Sequence, residues 1–215
     1  SPISFDFHPV PVGRARLGRL VTPHGTIDTP QFMPVGTQAT VKGLTPDQVA
    51  AAGAQIILGN TYHLMLRPGA PTVEKLGGIH GFADWSGHVL TDSGGYQVFS
   101  LEPGGNVRLD DDGVTFRSTY DGGTHRLTPE SAVAIQTAFG SDIQMVLDVC
   151  APLPSPPAVL RSAVERTAAW AGRARRSERR RGRINDRSAQ DDARADQPTC
   201  RHRAARPGED IGGAP

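Results

Sequence analysis

Twice along this chain a Thr-Pro pair opens a helix-like segment, a glycine closes it, and a short apolar run follows that ends in a polar side chain. The first unit begins at Thr45-Pro46-Asp47-Gln48, with a hydroxyl N-cap, a proline at the first helical position and a glutamine that completes a capping box. Gly53 stops that helix, Gln55-Ile56-Ile57-Leu58 reads as a short buried strand, and Asn60 stands just beyond it. The second unit begins at Thr128-Pro129, runs to about Phe139, stops at Gly140, and continues as a strand over 143–147 with Asp148 at its end. Ser155-Pro156-Pro157 then starts another helix, whose Leu160, Ala163, Val164, Thr167 and Ala168 fall at helical spacing. Helices that alternate with short apolar strands predict an α/β fold built from βα units around a parallel sheet.

Two β-hairpins decorate that pattern. Residues 15–21 are strand-like, Pro23-His24-Gly25 is a turn, and Thr26-Ile27 begins the return. Residues 107–126 read as an inserted hairpin with turns at Asp111-Asp112-Gly113 and Asp121-Gly122-Gly123. Asp110-Asp111-Asp112-Gly113 has the look of a calcium loop, but it lacks the alternating acids and the late glutamate, so a hairpin turn is the reading.

The chemistry concentrates in the run Leu90-Thr91-Asp92-Ser93-Gly94-Gly95-Tyr96-Gln97-Val98. A short apolar segment ends in a carboxylate, and a hydroxyl, two glycines and an aromatic ring follow. The carboxylate can accept hydrogen bonds or a proton, the glycines let backbone N–H groups approach a ligand, and the ring can stack on a flat one. The competing reading is a tight strand-to-helix turn with Asp92 as a capping residue. Asn60, Asp92 and Asp148 each follow an apolar strand core, and strand carboxyl ends line the ligand site of parallel α/β folds. The expectation is that the three converge on one cleft.

Composition divides the chain. Residues 173–215 carry twelve Arg, no Lys and seven acidic residues, a net +5, which leaves −4 on residues 1–172. Ile184 and Ile211 are the only large aliphatics of this tail and it has no aromatic residue, so burial cannot offset its ordering entropy and the tail is expected to be disordered. Two cysteines, Cys150 and Cys200, build no disulfide framework, which suggests a reducing, cytoplasmic compartment. The N-terminus shows no signal-peptide pattern and no apolar run approaches the length of a membrane span, so no membrane partner is expected. His63 has no companion ligand in the sequence and is expected to pack beside Tyr62, with Trp85 and Trp170 as core or surface anchors.

Four runs resemble the bacterial-type tRNA-guanine transglycosylases, or queuine tRNA-ribosyltransferases. They are Phe32-Met33-Pro34-Val35-Gly36-Thr37, Leu58-Gly59-Asn60-Thr61-Tyr62-His63-Leu64-Met65-Leu66-Arg67-Pro68-Gly69, the run from Leu90 to Val98, and Gly140-Ser141-Asp142-Ile143. The resemblance covers about residues 1–172. It implies a (β/α)8 TIM barrel with insertions, here incomplete, and replacement of the wobble guanine of certain tRNAs by a 7-deazaguanine such as preQ1 or queuine. It implies further that the exchange passes through a covalent bond between ribose C1′ and an enzyme carboxylate, that the anticodon loop of tRNA is the partner, and that family members commonly dimerise. By the same resemblance Asp92 is the carboxylate beside the base that handles protons. Ser93, Gly94 and Gly95 form backbone around the base, Tyr96 stacks on it, Asp148 reads the guanine edge, and Asn60 lies near the ribose.

The chain departs from the family in two places. Val149 follows Asp148 where the family usually has a glutamate, which leaves base preference open between preQ1 and queuine. From about Gly172 the family's Gln-Gly pair, nucleophilic aspartate, arginine-rich tRNA contact and zinc ligands (three Cys and one His) find no match, and Cys200-Arg201-His202 is not a zinc motif. No cofactor or metal is therefore expected in this chain. The tail reads either as a basic extension for RNA phosphates or as out-of-frame translation of a GC-rich gene. Without the nucleophile, the 215 residues are not expected to catalyse base exchange. Two alternatives stand beside this: a non-catalytic tRNA-binding remnant with a basic tail, and a glycoside hydrolase using Asp92 and Asp148 as an acid/base pair.

Overall fold

An antiparallel meander opens the structure, a computed structural model that describes the backbone of residues 4–9, 15–101 and 107–195 and the side chains of 4–6, 15–101 and 107–181. Strand β1 (Ser4–Pro9) pairs with β2 (Arg16–Thr22), which turns at Pro23-His24 and pairs with β3 (Gly25–Thr29). The hairpin read from the sequence is β2–β3, and β1 is an addition to it.

The βα units follow in the expected order. After β4 (Val35–Gly36), helix α1 (Pro46–Ala51) starts on a complete capping box: Gln48 N–H donates to Thr45 Oγ1 at 3.3 Å, and Thr45 N–H donates to Gln48 Oε1 at 2.9 Å. Strand β5 (Ile56–Gly59) leads into α2 (Thr61–Leu66), α3 (Ala70–Lys75) and α4 (Gly78–Ala83). Strand β6 (His88–Thr91) then feeds α5 (Gly95–Ser100). The insertion is a second antiparallel sheet of β7 (Arg108–Leu109), β8 (Val114–Arg117) and β9 (Thr124–Leu127). Its first turn is closed by Asp110, whose Oδ1 accepts from Asp112 and Gly113 N–H at 2.9 Å, so this acidic run is the expected hairpin turn. Helix α6 (Pro129–Ala138) again starts on a capping box, now between Thr128 and Ser131, and leads to β10 (Ile143–Gln144) and α7 (Pro157–Ala195).

Strands β4, β5, β6 and β10 form one parallel sheet in chain order, each beside its predecessor and with no reversal. Register aligns Val35, Leu58, Leu90 and Ile143 in one row across it. Neighbouring Ile57 and Val89 point the other way, into a core with Leu64, Val73, Ile79, Trp85 and Phe139. A second core joins Tyr62, Val98, Phe116, Leu127, Leu147 and Trp170, and so ties the inserted sheet to α7. Trp85 and Trp170 are both core residues, 5% and 1% exposed, and each donates its indole N–H to a backbone carbonyl.

Two expectations change. The last strand is shorter than 143–147, and Asp148 stands four residues past its end. Among the described residues β10 has a strand neighbour on one side only, β6, so the ladder that would hold a longer strand is absent. Met145 N–H still donates to Thr91 O at 3.1 Å, and the buried Gln136 stands where a further strand would: its Oε1 accepts from Met145 N–H at 2.9 Å and its Nε2 donates to Met145 O at 2.8 Å. The boundary at residue 172 also differs. Helix α7 runs through it to Ala195, and Ala174 is 2% exposed. Arg173 forks onto Glu130 with both contacts at 2.8 Å, which holds the Glu130 carboxyl below its ordinary range. Alanine and arginine are strong helix formers, so local propensity carries a helix where burial alone would not. Residues 196–215 lie outside the described residues. By contacts the chain forms a unit over 1–179 and a second over 180–215, whose described part is helical backbone.

The Gln136 carboxamide also accepts from the Thr91 hydroxyl at 2.9 Å. Gln136→Ala removes the partner of Met145 O and one of two partners of both Met145 N–H and the Thr91 hydroxyl, and urea denaturation is expected to show a loss of about 2 kcal/mol. A midpoint shift equivalent to under about 0.5 kcal/mol, the size of a surface change, would contradict this role.

Candidate functional site

The parallel register sets Gly59 of β5 level with Thr91 of β6, so the residues that follow, Asn60 and Asp92, leave the sheet side by side. Asp92 N–H donates to Gly59 O at 3.2 Å and extends the ladder by one bond. Its carboxylate then becomes a junction. Oδ1 accepts Thr61 N–H at 2.8 Å and Gly94 N–H at 3.2 Å, while Oδ2 accepts Asn60 Nδ2 at 2.5 Å and Gln97 Nε2 at 2.8 Å. Thr61 N–H is one of the donors a helix start leaves without an internal partner, so Asp92 caps α2 from the neighbouring strand. Asn60, at the N-cap position, makes no cap bond of its own and spends its amide on Asp92. The capping reading and the site reading of Asp92 are thus compatible in one geometry.

The turn that follows is specified by its glycines. Gly94 has φ +80°, in the left-handed region, and a Cβ there would lie 3.2 Å from Tyr62 N. A Cβ on Gly95 would lie 3.0 Å from Asp148 O and 3.1 Å from Asp148 Oδ1. Ser93 Oγ donates to Asp148 Oδ1 at 3.2 Å and accepts Gly95 N–H at 3.1 Å. One short turn therefore links the two carboxylates. The structure brings Asn60, Asp92, Ser93, Gly94, Gly95 and Asp148 together. Tyr96 is 62% exposed and stands beside these buried glycines.

The two carboxylates differ in spare capacity. A carboxylate has about four lone-pair sites, and Asp92 already accepts four donors. Asp148 accepts Ser93 Oγ on Oδ1 and borders an open apolar groove of about 520 Å³ shared with Leu160, Val164 and Ala168 of α7. Gln97 of α5 also joins this junction. Its Nε2 is fixed on Asp92, and its Oε1 is buried without a partner among the described residues. A glutamine near a helix start reads as a surface residue, so only its place beside a candidate carboxylate could have flagged it.

His63 packs edge-on to Tyr62, with ring centroids 5.2 Å apart, and its Nδ1 lies 3.1 Å from Tyr120 OH. Burial lowers its pKa, against the pull of the Asp92 charge. A zinc site of three Cys and one His does not fit this chain, which has two cysteines and of which Cys150 is exposed. A different cluster, His24, His80 and Asp142, does bring together groups able to ligate a metal, and the sequence reading did not find it.

Asp92→Asn puts an amide N–H₂ against the amides of Asn60 and Gln97 or against two backbone N–H groups. The expected loss of stability is about 2 kcal/mol by urea denaturation. An unchanged midpoint would show that the four bonds do not organise this junction.

Comparison with known proteins agrees with the geometry. The family model described as TGT: Queuine tRNA-ribosyltransferase matches residues 12–193. A queuine tRNA-ribosyltransferase of Desulforudis audaxviator is 61% identical over 162 residues, 75% of this chain and 43% of that protein. Those of Moorella thermoacetica and Thermus thermophilus are 56% and 53% identical, over 77% and 78% of this chain and 44% and 43% of theirs. The chain thus spans less than half the length of these relatives. Among the described residues no helix is long and apolar enough to cross a membrane. With most of its length matched by that model, the chain belongs to the queuine tRNA-ribosyltransferase family.

Proposed function

We propose that this chain carries the base-recognition part of a tRNA-guanine transglycosylase, which exchanges the wobble guanine in the anticodon loop of tRNA for a 7-deazaguanine in queuosine biosynthesis. The observation that carries the reading is the single turn, Ser93-Gly94-Gly95, that joins two carboxylates beside an exposed aromatic ring. Guanine presents N1–H and its exocyclic amine as adjacent donors, and a carboxylate accepts both as a pair. Asp148 has the free capacity for that pair. Tyr96 offers a face to a base that has left its stack. Asp92 has its lone pairs occupied, so it receives a proton only when Asn60 or Gln97 moves off Oδ2.

The parallel sheet, in this reading, is an arc of a (β/α)8 barrel. Strand order without a switch point supports it, since a doubly wound sheet reverses. So does the row Val35, Leu58, Leu90 and Ile143, of which Val35 is 54% exposed: parallel sheets are covered on both faces, and this face is the inside of a barrel. The covalent step belongs to a nucleophilic aspartate that, by resemblance, lies in the second half of family chains. The 215 residues then bind the base without exchanging it, in a cytoplasmic setting, with tRNA as partner and a homodimer as the family's assembly. Family membership leaves the glycoside hydrolase reading without support.

Isothermal titration of guanine tests the reading. Asp148→Ala and Tyr96→Ala are each expected to weaken guanine binding at least about tenfold, and adenine, which lacks the N1–H donor, is not expected to compete. Equal binding of adenine and guanine, or guanine binding untouched by Asp148→Ala, would overturn it. Incorporation of labelled guanine into tRNA by the 215-residue chain alone would overturn the division of labour.

A further inference from the structure

At the opposite end of the strands from Asp92, three groups from distant parts of the chain meet. His24 lies in the turn between β2 and β3, His80 on α4, and Asp142 just before β10. His24 Nδ1 is 2.6 Å from Asp142 Oδ1, and His80 Nε2 is 3.6 Å from Asp142 Oδ2 and 3.0 Å from Gly87 O, to which it donates. The two imidazoles stack with centroids 3.9 Å apart and planes 17° apart, which brings a nitrogen of each to the same carboxylate. All three ligand atoms lie within 4.8 Å of one another.

The carboxylate is 1% exposed, His80 16% and His24 39%, so the cluster is buried on one side and open through His24. Val89 N–H also donates to Asp142 Oδ2 at 2.9 Å, so the carboxylate is held from three sides. An anion so enclosed needs a cation beside it. One divalent ion on the shared edge supplies the charge and leaves both rings neutral.

We propose that His24 Nδ1, His80 Nε2 and the Asp142 carboxylate bind one divalent transition ion of the zinc class. Two imidazole nitrogens and a carboxylate are a zinc-type donor set, and ligand atoms around a tetrahedral zinc lie about 3.4 Å apart. The 3.6 Å contact is already at that spacing. The 2.6 Å contact and the His80 Nε2 contact to Gly87 O are hydrogen bonds; the ion takes the place of the proton on each ligating nitrogen, each neutral ring carries its one proton on the other nitrogen, and any excess proton is released to solvent. Water completes the coordination on the open His24 side. The ion ties the β2–β3 turn to α4 and to the start of β10, so its role is to staple the N-terminal meander onto the parallel sheet.

The test is calorimetric titration of the purified 215-residue chain with zinc chloride, paired with thermal unfolding and with cobalt(II) absorption. One ion is expected per chain, with a raised unfolding temperature and with cobalt d–d bands free of thiolate charge transfer. His24 sits in an exposed turn, so His24→Ala keeps the fold by circular dichroism and is expected to weaken zinc binding at least about tenfold and abolish the thermal shift. His80→Ala is expected to do the same. No binding at millimolar zinc, binding unchanged in both variants, or a thiolate band from Cys150 or Cys200 would each overturn the site.

Discussion

The carboxylate of Asp92 is the interaction on which the site depends. It stands one residue past β6 and accepts donors from the loop after β5, the first turn of α2, the turn before α5 and α5 itself. Both helices are six residues long, too short to be stable alone, so their starts are set by this shared acceptor and by packing. The parallel register of β5 and β6 makes the arrangement possible, because it brings Asn60 and Asp92 out of the sheet at the same level. Ser93 and Gly95 carry the order one step further, to Asp148.

The same logic of one buried polar group serving several backbones recurs at Gln136, which holds the chain after β10 where strand pairing stops. That chain leads to Asp148, so the position of the second carboxylate rests on a side chain of α6 together with one backbone bond, from Met145 N–H to Thr91 O. The inserted sheet is fixed from the other side: Trp170 and Arg173 of α7 donate to Asp111 O, and Tyr62 OH lies 3.1 Å from Thr119 Oγ1. The second core, through Leu147 beside Asp148 and Val98 of α5, therefore packs under the segments that carry the carboxylates.

What could be read in the sequence was local or nearly so. The capping boxes at Thr45 and Thr128 and the stops at Gly53 and Gly140 depend on neighbours within a few residues. The side-by-side exit of Asn60 and Asp92 follows from strand-end logic, whereas Asp148, four residues past β10, is reached through Ser93. The length of β10 was not legible, because it depends on a partner strand rather than on its own apolar residues. The stretch after residue 172 was read from its lack of burial, whereas Ala174 and Arg173 pack against the body and helix propensity does the rest. Gln97 acquires meaning only beside Asp92, and His24 meets Asp142 across 118 residues of chain, where no spacing motif exists.

Asp92 thus builds the junction, and in the proposed function Asp148 and Tyr96 meet the base. A crystal structure of the chain with guanine separates these two roles. Guanine is expected with its N1–H and amine edge on the Asp148 carboxylate, its face on the Tyr96 ring, and the Thr61 and Gly94 bonds to Asp92 intact. Guanine bound through Asp92 with those bonds broken, or held away from Asp148, would contradict that division.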